Sequence, residues 1–90
     1  MALSKRTIPC FTGVGSLKIA RSHIPIRYSV ESKDGLKTGK GWISGPAADM
    51  RWAFCVHECM LTLEDSTVLP VNIIAHTPGI GTVYFTIERH

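Results

Sequence analysis

One segment of this 90-residue chain, SGPAADMRWAFCVHECM from Ser44 to Met60, carries helical periodicity, and strand-like alternation runs on both sides of it. A single helix between two strand-rich halves leaves few architectures open. The spacing predicts a helix over about 45–60, with Ser44-Gly45-Pro46 supplying an N-cap and then a proline in the first turn, where its missing N–H costs nothing. Asp49 follows in the region where the helix dipole favours a carboxylate. At 100° per residue, Ala48, Trp52, Cys55, Val56 and Cys59 share one face, the expected core stripe. Arg51 and Glu58 fall together on a wet side. Met50 and Phe54 form a second apolar strip that needs its own cover, since leaving each in water forfeits roughly 1.5–3 kcal/mol. Either the N-terminal segment Ile8-Pro9-Cys10-Phe11 folds over that strip, or the strip is a dimer or partner surface.

Residues 1–15 read as a flexible N-terminal arm closed by Gly13-Val14-Gly15, and 16–90 as one small β-rich domain. Ser16 to Ala20 is a strand. His23 to Ser32 alternates cleanly, with Ile24, Ile26, Tyr28 and Val30 inward. Pro25 within it requires an edge or a bulge on its N–H side. Lys33-Asp34-Gly35 is a hairpin-turn signal, and Leu36 to Ile43 is a third strand whose Gly39 and Gly41 mark a bulge or curl. Beyond the helix come Leu61 to Leu63, the turn from Glu64 to Thr67, a strand from Val68 to Thr77, the turn Thr77-Pro78-Gly79, and a strand from Thr82 to Glu88. LKIARSHIPI from Leu17 aligns with LTLEDSTVLPV from Leu61 after one inserted residue, the trace expected of internal duplication. The fold class is therefore mainly β (α+β), in the order β-β-β-α-β-β-β. It should form a six-stranded antiparallel barrel or half-barrel, with the helix plugging an open end or crossing one face.

No apolar run approaches the ~18 residues of a membrane span, so no membrane partner is expected. The three cysteines form no even-numbered disulfide framework, which points to a reducing, cytoplasmic setting. Charge is unevenly placed. Met1 to Ile43 carries eight Lys/Arg against two acids, and Ser44 to His90 two Arg against five acids, within a net charge of +3. Such polarity suits a polyanion, an acidic protein or head-to-tail self-association.

Chemistry-bearing patterns are weak. Cys55 and Cys59 at i, i+4 lack further ligands with metal spacing, so no metal is expected. His23, His57, His76 and His90 stand in no nucleophile signature with a cysteine, and the carboxylates are scattered, so no catalytic residue is assigned and no enzyme is expected. Gly13-Val14-Gly15 and Gly79-Ile80-Gly81 precede strands rather than helices and fail as nucleotide-binding loops, so neither a cofactor nor a small-molecule substrate is expected.

Lys18, Arg27, Lys37 and Lys40 form a candidate basic sheet face, with Trp42 and Tyr84 as added aromatics but without the paired exposed aromatics of RNA-binding sheets. The chain resembles only the general run of small β-rich bacterial or phage proteins. The function expected from these features is a small non-enzymatic protein–protein interaction module, an adaptor, regulator or inhibitor. It would self-associate as a homodimer or bind a protein partner, with Met50 and Phe54 as apolar anchor. The alternative is a barrel that binds nucleic acid through its basic face.

Overall fold

Alternation with a period of two places one side of each strand inward and the other in water, and six such strands in one chain can close on themselves. A computed structural model of the chain describes residues 8–77 and 79–87. Its elements are β1 (Cys10–Ile19), β2 (Ser22–Glu31), β3 (Lys40–Ser44), α1 (Ala47–Val56), β4 (Glu58–Thr62), β5 (Val68–His76) and β6 (Thr82–Ile87). The strands form a closed barrel in the order β1-β2-β3-β6-β5-β4, antiparallel throughout, with β4 returning to β1. The helix packs mainly on β5 and β6 and also touches β1 and β4. Leu17, Ile19, Val30, Ile43, Leu61, Leu69, Val83 and Phe85 line the interior with no solvent exposure.

The two halves match in order, and in register as far as Ile73 of β5. Leu17 pairs with Ile24 as Leu61 pairs with Leu69, and Tyr28 pairs with Ile43 as Ile73 pairs with Phe85. Where the halves meet, corresponding residues face each other: Leu17 opposite Leu61 on one seam, Trp42 opposite Tyr84 on the other. This is the pseudo-two-fold arrangement that a repeated β-β-β unit produces. Pro25 and Pro70 occupy equivalent places, each paired on one side only (with Ser16 and Met60) and lying just beyond the ladder to the third strand. The expected edge at Pro25 is thus provided inside a closed barrel.

Several boundaries differ from the sequence reading, each for a local reason. β1 begins at Cys10, so residues 10–15 are strand and not arm; residues 1–7 lie outside the described residues. Gly13 and Gly15 are not a turn but positions of β1 beside the buried Tyr28, and a Cβ on Gly13 would stand 2.9 Å from the Tyr28 hydroxyl. That hydroxyl accepts a hydrogen bond from the Glu64 N–H at 3.0 Å, tying the β4–β5 turn to β2. β3 starts only at Lys40 because the preceding residues form a closed loop. There Asp34 accepts hydrogen bonds from the Thr38 N–H at 3.0 Å and the Thr38 hydroxyl at 2.6 Å, while Ser32 Oγ accepts from the Leu36 N–H at 2.9 Å. The bulge falls in β5 between Ile73 and Ala75, and not at Gly39 or Gly41. Pro78 of the expected turn, and Glu88 of the last strand, lie outside the described residues.

The helix differs most. Ser44 ends β3, Pro46 takes the N-cap position without a side-chain cap, and α1 stops at Val56. His57 adopts a positive φ of 71° and donates its N–H to the Ala53 carbonyl, and Glu58 already belongs to β4. With ψ at −51°, His57 lies in the positive-φ γ-turn region and outside the left-handed helical one. Cys59 therefore leaves the helix stripe and points inward from a strand with Leu61, an alternation that competes with the helical reading of the same residues.

Candidate interaction surfaces

With one helix end tied to the loop before β6 and the other to β5, rotation of α1 about its axis is not free. Gly45 N–H donates to the Gly81 carbonyl at 2.8 Å before the helix, and Ile73 N–H donates to the His57 carbonyl at 2.7 Å after it. These tethers turn Met50 and Ala53 into the barrel, both with no exposure, and set Phe54 against the core. Phe54 lies between two histidines, edge-on to His57 at 5.7 Å between ring centroids and stacked on His76 at 5.8 Å. The expectation of Met50 and Phe54 as an exposed binding strip is corrected accordingly, since Met50 plugs the barrel end and Phe54 seals it.

The stripe expected in the core faces outward instead. Ala48, Trp52, Cys55 and Val56 are all exposed, Trp52 and Val56 at 39% each. Ile74, extruded by the β5 bulge and 54% exposed, follows directly on the residue bonded to His57, so the apolar surface continues past the end of the helix. Sequence periodicity found this stripe; it could not show which way the helix is turned.

The barrel converts the uneven charge of the sequence into two sides, because β1-β2-β3 and β6-β5-β4 are each contiguous in the wall. Within it, Lys18, Arg27 and Lys40 are exposed on their strands and Lys37 in the Ser32–Gly39 loop. They do not form one patch. Lys18 stands opposite His23 and Met60, whereas Lys40 stands opposite Glu31 and Thr86. His23 and Glu31 are separated along β2 by about 26 Å at ~3.3 Å per residue. Lys18 thus sits at one end of the barrel, Lys37 and Lys40 at the other, with Arg27 between.

The wall also holds the aromatic pair that the sequence reading found missing. Trp42 on β3 and Tyr84 on β6 are directly paired and both exposed, at 39% and 43%. A shallow cleft opens beyond each end of the pair. One, of about 260 Å³, is lined by Glu31, Lys33, Thr38, Lys40 and Thr86 among others; the other, of about 430 Å³, includes Val14, Arg27 and Ser44. Only the closed register brings these residues of β2, β3 and β6 side by side. The loop that carries Lys33 is held by Asp34, whose hydrogen bonds from Thr38 keep its carboxyl well below the usual carboxylate range and therefore ionised deep into acid. Asp65 is lowered in the same way by Thr67.

All three cysteines are free thiols, Cys10 and Cys55 exposed and Cys59 buried. Burial pushes the Cys59 thiol up to about 11. Its folded pKa lies above the ordinary ~8.5 of an unfolded cysteine, so the unfolded chain loses this proton first as pH rises. Stability from this source is complete below about pH 8.5 and is lost as pH climbs through about 11. Urea unfolding at pH 8 and pH 10.5 should show a decline in the parent that is smaller in Cys59→Ala; equal declines would place the alkaline sensitivity elsewhere.

Among the described residues no group of three or more His, Cys, Asp or Glu is placed to hold a metal ion, and no helix is long and apolar enough to cross a membrane. No protein-family model, curated protein or solved structure matches the chain.

Proposed function

We propose that this chain is a small non-enzymatic protein–protein interaction module, an adaptor, regulator or inhibitor, that associates through the outer face of α1 and takes a second copy of itself as its first partner. The observation that carries this reading is the outward stripe of Ala48, Trp52, Cys55 and Val56 on a helix whose other side already closes the barrel. Tryptophan on an exposed helix face is the kind of anchor that dominates protein interfaces. About two-fifths of Trp52 and of Val56 is still exposed, so burying that remainder against a partner contributes on the order of 1 kcal/mol each, before the costs of association. A standard interface needs about 800 Å² per partner, more than one helix stripe supplies, so the contact extends over the neighbouring Ile74. The three free thiols suit a reducing cytoplasmic setting.

Light scattering behind a sizing column tests this directly. The parent should run as a dimer whose mass changes little with salt, because the contact is apolar. Trp52→Asp should run as a folded monomer. A parent that is monomeric at high concentration and captures no partner through Trp52 would remove the proposal.

A further inference from the structure

The β3–β6 wall is a different surface from the outer face of α1, and its chemistry differs. There the barrel exposes two adjacent aromatic rings flanked by hydroxyl side chains, with exposed Ile8 and Val14 in the clefts beyond them, rather than one aliphatic stripe. Trp42 and Tyr84 are cross-strand partners, with Ser29 and Ser44 on the β2–β3 side and Thr82 and Thr86 along β6. Cations stand at both ends of the pair. Lys40 precedes Trp42 by two residues on the same face of β3 and shares the smaller cleft with Lys33. Arg27, opposite Ser44, lies in the cleft at the other end. Lys40 and Ser44 are about 13 Å apart along the strand at ~3.3 Å per residue. One acid, Glu31, faces Lys40 in the smaller cleft against its two lysines. By the pseudo-two-fold relation Arg27 corresponds to Asn72 and Lys40 to Thr82, so the positive charge lies on the β2–β3 side and β6 supplies neutral hydrogen-bonding groups.

We infer that this wall binds single-stranded nucleic acid: bases stack on Trp42 and Tyr84 while the phosphate backbone follows β3 from the Lys33–Lys40 cleft to Arg27. Exposed aromatics between cations are what a sequence-tolerant single-strand site requires, because every base has a face to stack and every linkage carries charge. A protein partner would not need a cation at each end of the pair, and a neutral sugar would use neither. Duplex is disfavoured, since its bases already stack on one another and only unstacked bases can reach the rings. The basic face expected from sequence is thereby narrowed: Arg27 and Lys40 belong to the site, whereas Lys18, at the far end of the barrel, does not.

Fluorescence anisotropy with a labelled oligothymidylate of about ten nucleotides is the test. Binding should weaken about 18-fold between roughly 50 and 200 mM salt, the slope for three phosphates neutralised on a single strand. Trp42→Ala should weaken it about tenfold or more, and Trp42→Phe, which keeps a ring, far less. Lys40→Glu and Arg27→Glu should each weaken it strongly. Arg21→Glu makes the same charge change at the exposed β1–β2 turn and should have less than about a twofold effect. The two charge variants alter only exposed side chains, so they remain decisive if Trp42→Ala lowers stability. No binding at low salt, equal losses for Arg21→Glu and Lys40→Glu, or ring variants that bind like the parent would each overturn the inference. None of those outcomes bears on the helix surface, which is read by mass.

Discussion

A Met50→Asp variant is expected to show no cooperative unfolding transition, while Trp52→Asp, two residues away on the same helix, keeps one that melts within about 15 °C of the parent. Met50 has no solvent exposure and stands where β3 hands over to the helix, with its terminal methyl among the atoms that a Cβ on Gly45 would meet. Truncating a buried methionine costs about 2–5 kcal/mol. A carboxylate in its place adds the penalty of an unpaired buried charge, several kcal/mol more. A chain of this size holds only roughly 5–13 kcal/mol in total. Trp52 is 39% exposed on the outer face, so its replacement by Asp costs about 1–2 kcal/mol in lost packing and helix propensity, and 1 kcal/mol moves the melting temperature of such a domain by about 4–8 °C. Thermal melts followed by circular dichroism, at a concentration where the chain is monomeric, give the answer. The reverse pattern would mean that the helix is seated with its periodic stripe inward.

The second large effect is at the seam that closes the barrel. Gly15→Val is expected to open it, with a loss of about 3 kcal/mol or more. β1 and β4 are joined through three residue pairs, Ser16–Thr62, Leu17–Leu61 and Lys18–Met60. A Cβ on Gly15 would run into the Thr62 carbonyl oxygen, a backbone atom that cannot swing aside, and would lie 3.3 Å from the Tyr28 ring. Relief requires the strands to part at the shortest ladder of the closed sheet. Opened, both present unpaired edges, so aggregation should accompany the lower stability. Gly35→Ala is the useful comparison. Nothing lies within 4 Å of a Cβ there, and only its φ of +72° is at issue. It should cost about 1–2 kcal/mol without aggregation. Urea unfolding with limited proteolysis separates the two; a Gly15→Val protein as stable as the parent would mean that the seam tolerates a wider spacing.

Much of the architecture was legible from residues alone. The inward sets on β2 and β6 follow from strict alternation over six or more residues, a signal that tertiary context seldom overrides. The match of Leu17–Ile26 with Leu61–Val71 is repeated in the register, where Leu17 and Leu61 face each other. The N-terminal boundary was obscured because Gly13 and Gly15, which read locally as a turn, serve as space for a tyrosine on the next strand. That need exists only once β1 and β2 are paired. Likewise Ser44 and Pro46 read as a helix start, yet Ser44 is held in the β3–β6 ladder.

The candidate surfaces show the same division. Periodicity identified two apolar helix strips, one with Met50 and Phe54 and one with Trp52 and Val56, although it also assigned Cys59 of β4 to the second. Which strip is buried depended on the tethers at Gly45 and His57, hydrogen bonds to residues 36 and 16 positions away that no local pattern contains. Arg27 and Tyr84 were visible as outward positions on strands, and Lys40 and Trp42 as members of the basic face and its added aromatics. Their adjacency was decided by the pairing of β3 with β6, which brings Trp42 against a residue 42 positions later in the chain. Local chemistry thus determined the strands, the helix, their order and the side of each strand that is apolar, because these depend on neighbours within a few residues. The closed register determined the helix rotation, the seam and the aromatic wall, because each depends on contacts between segments that only the folded barrel brings together.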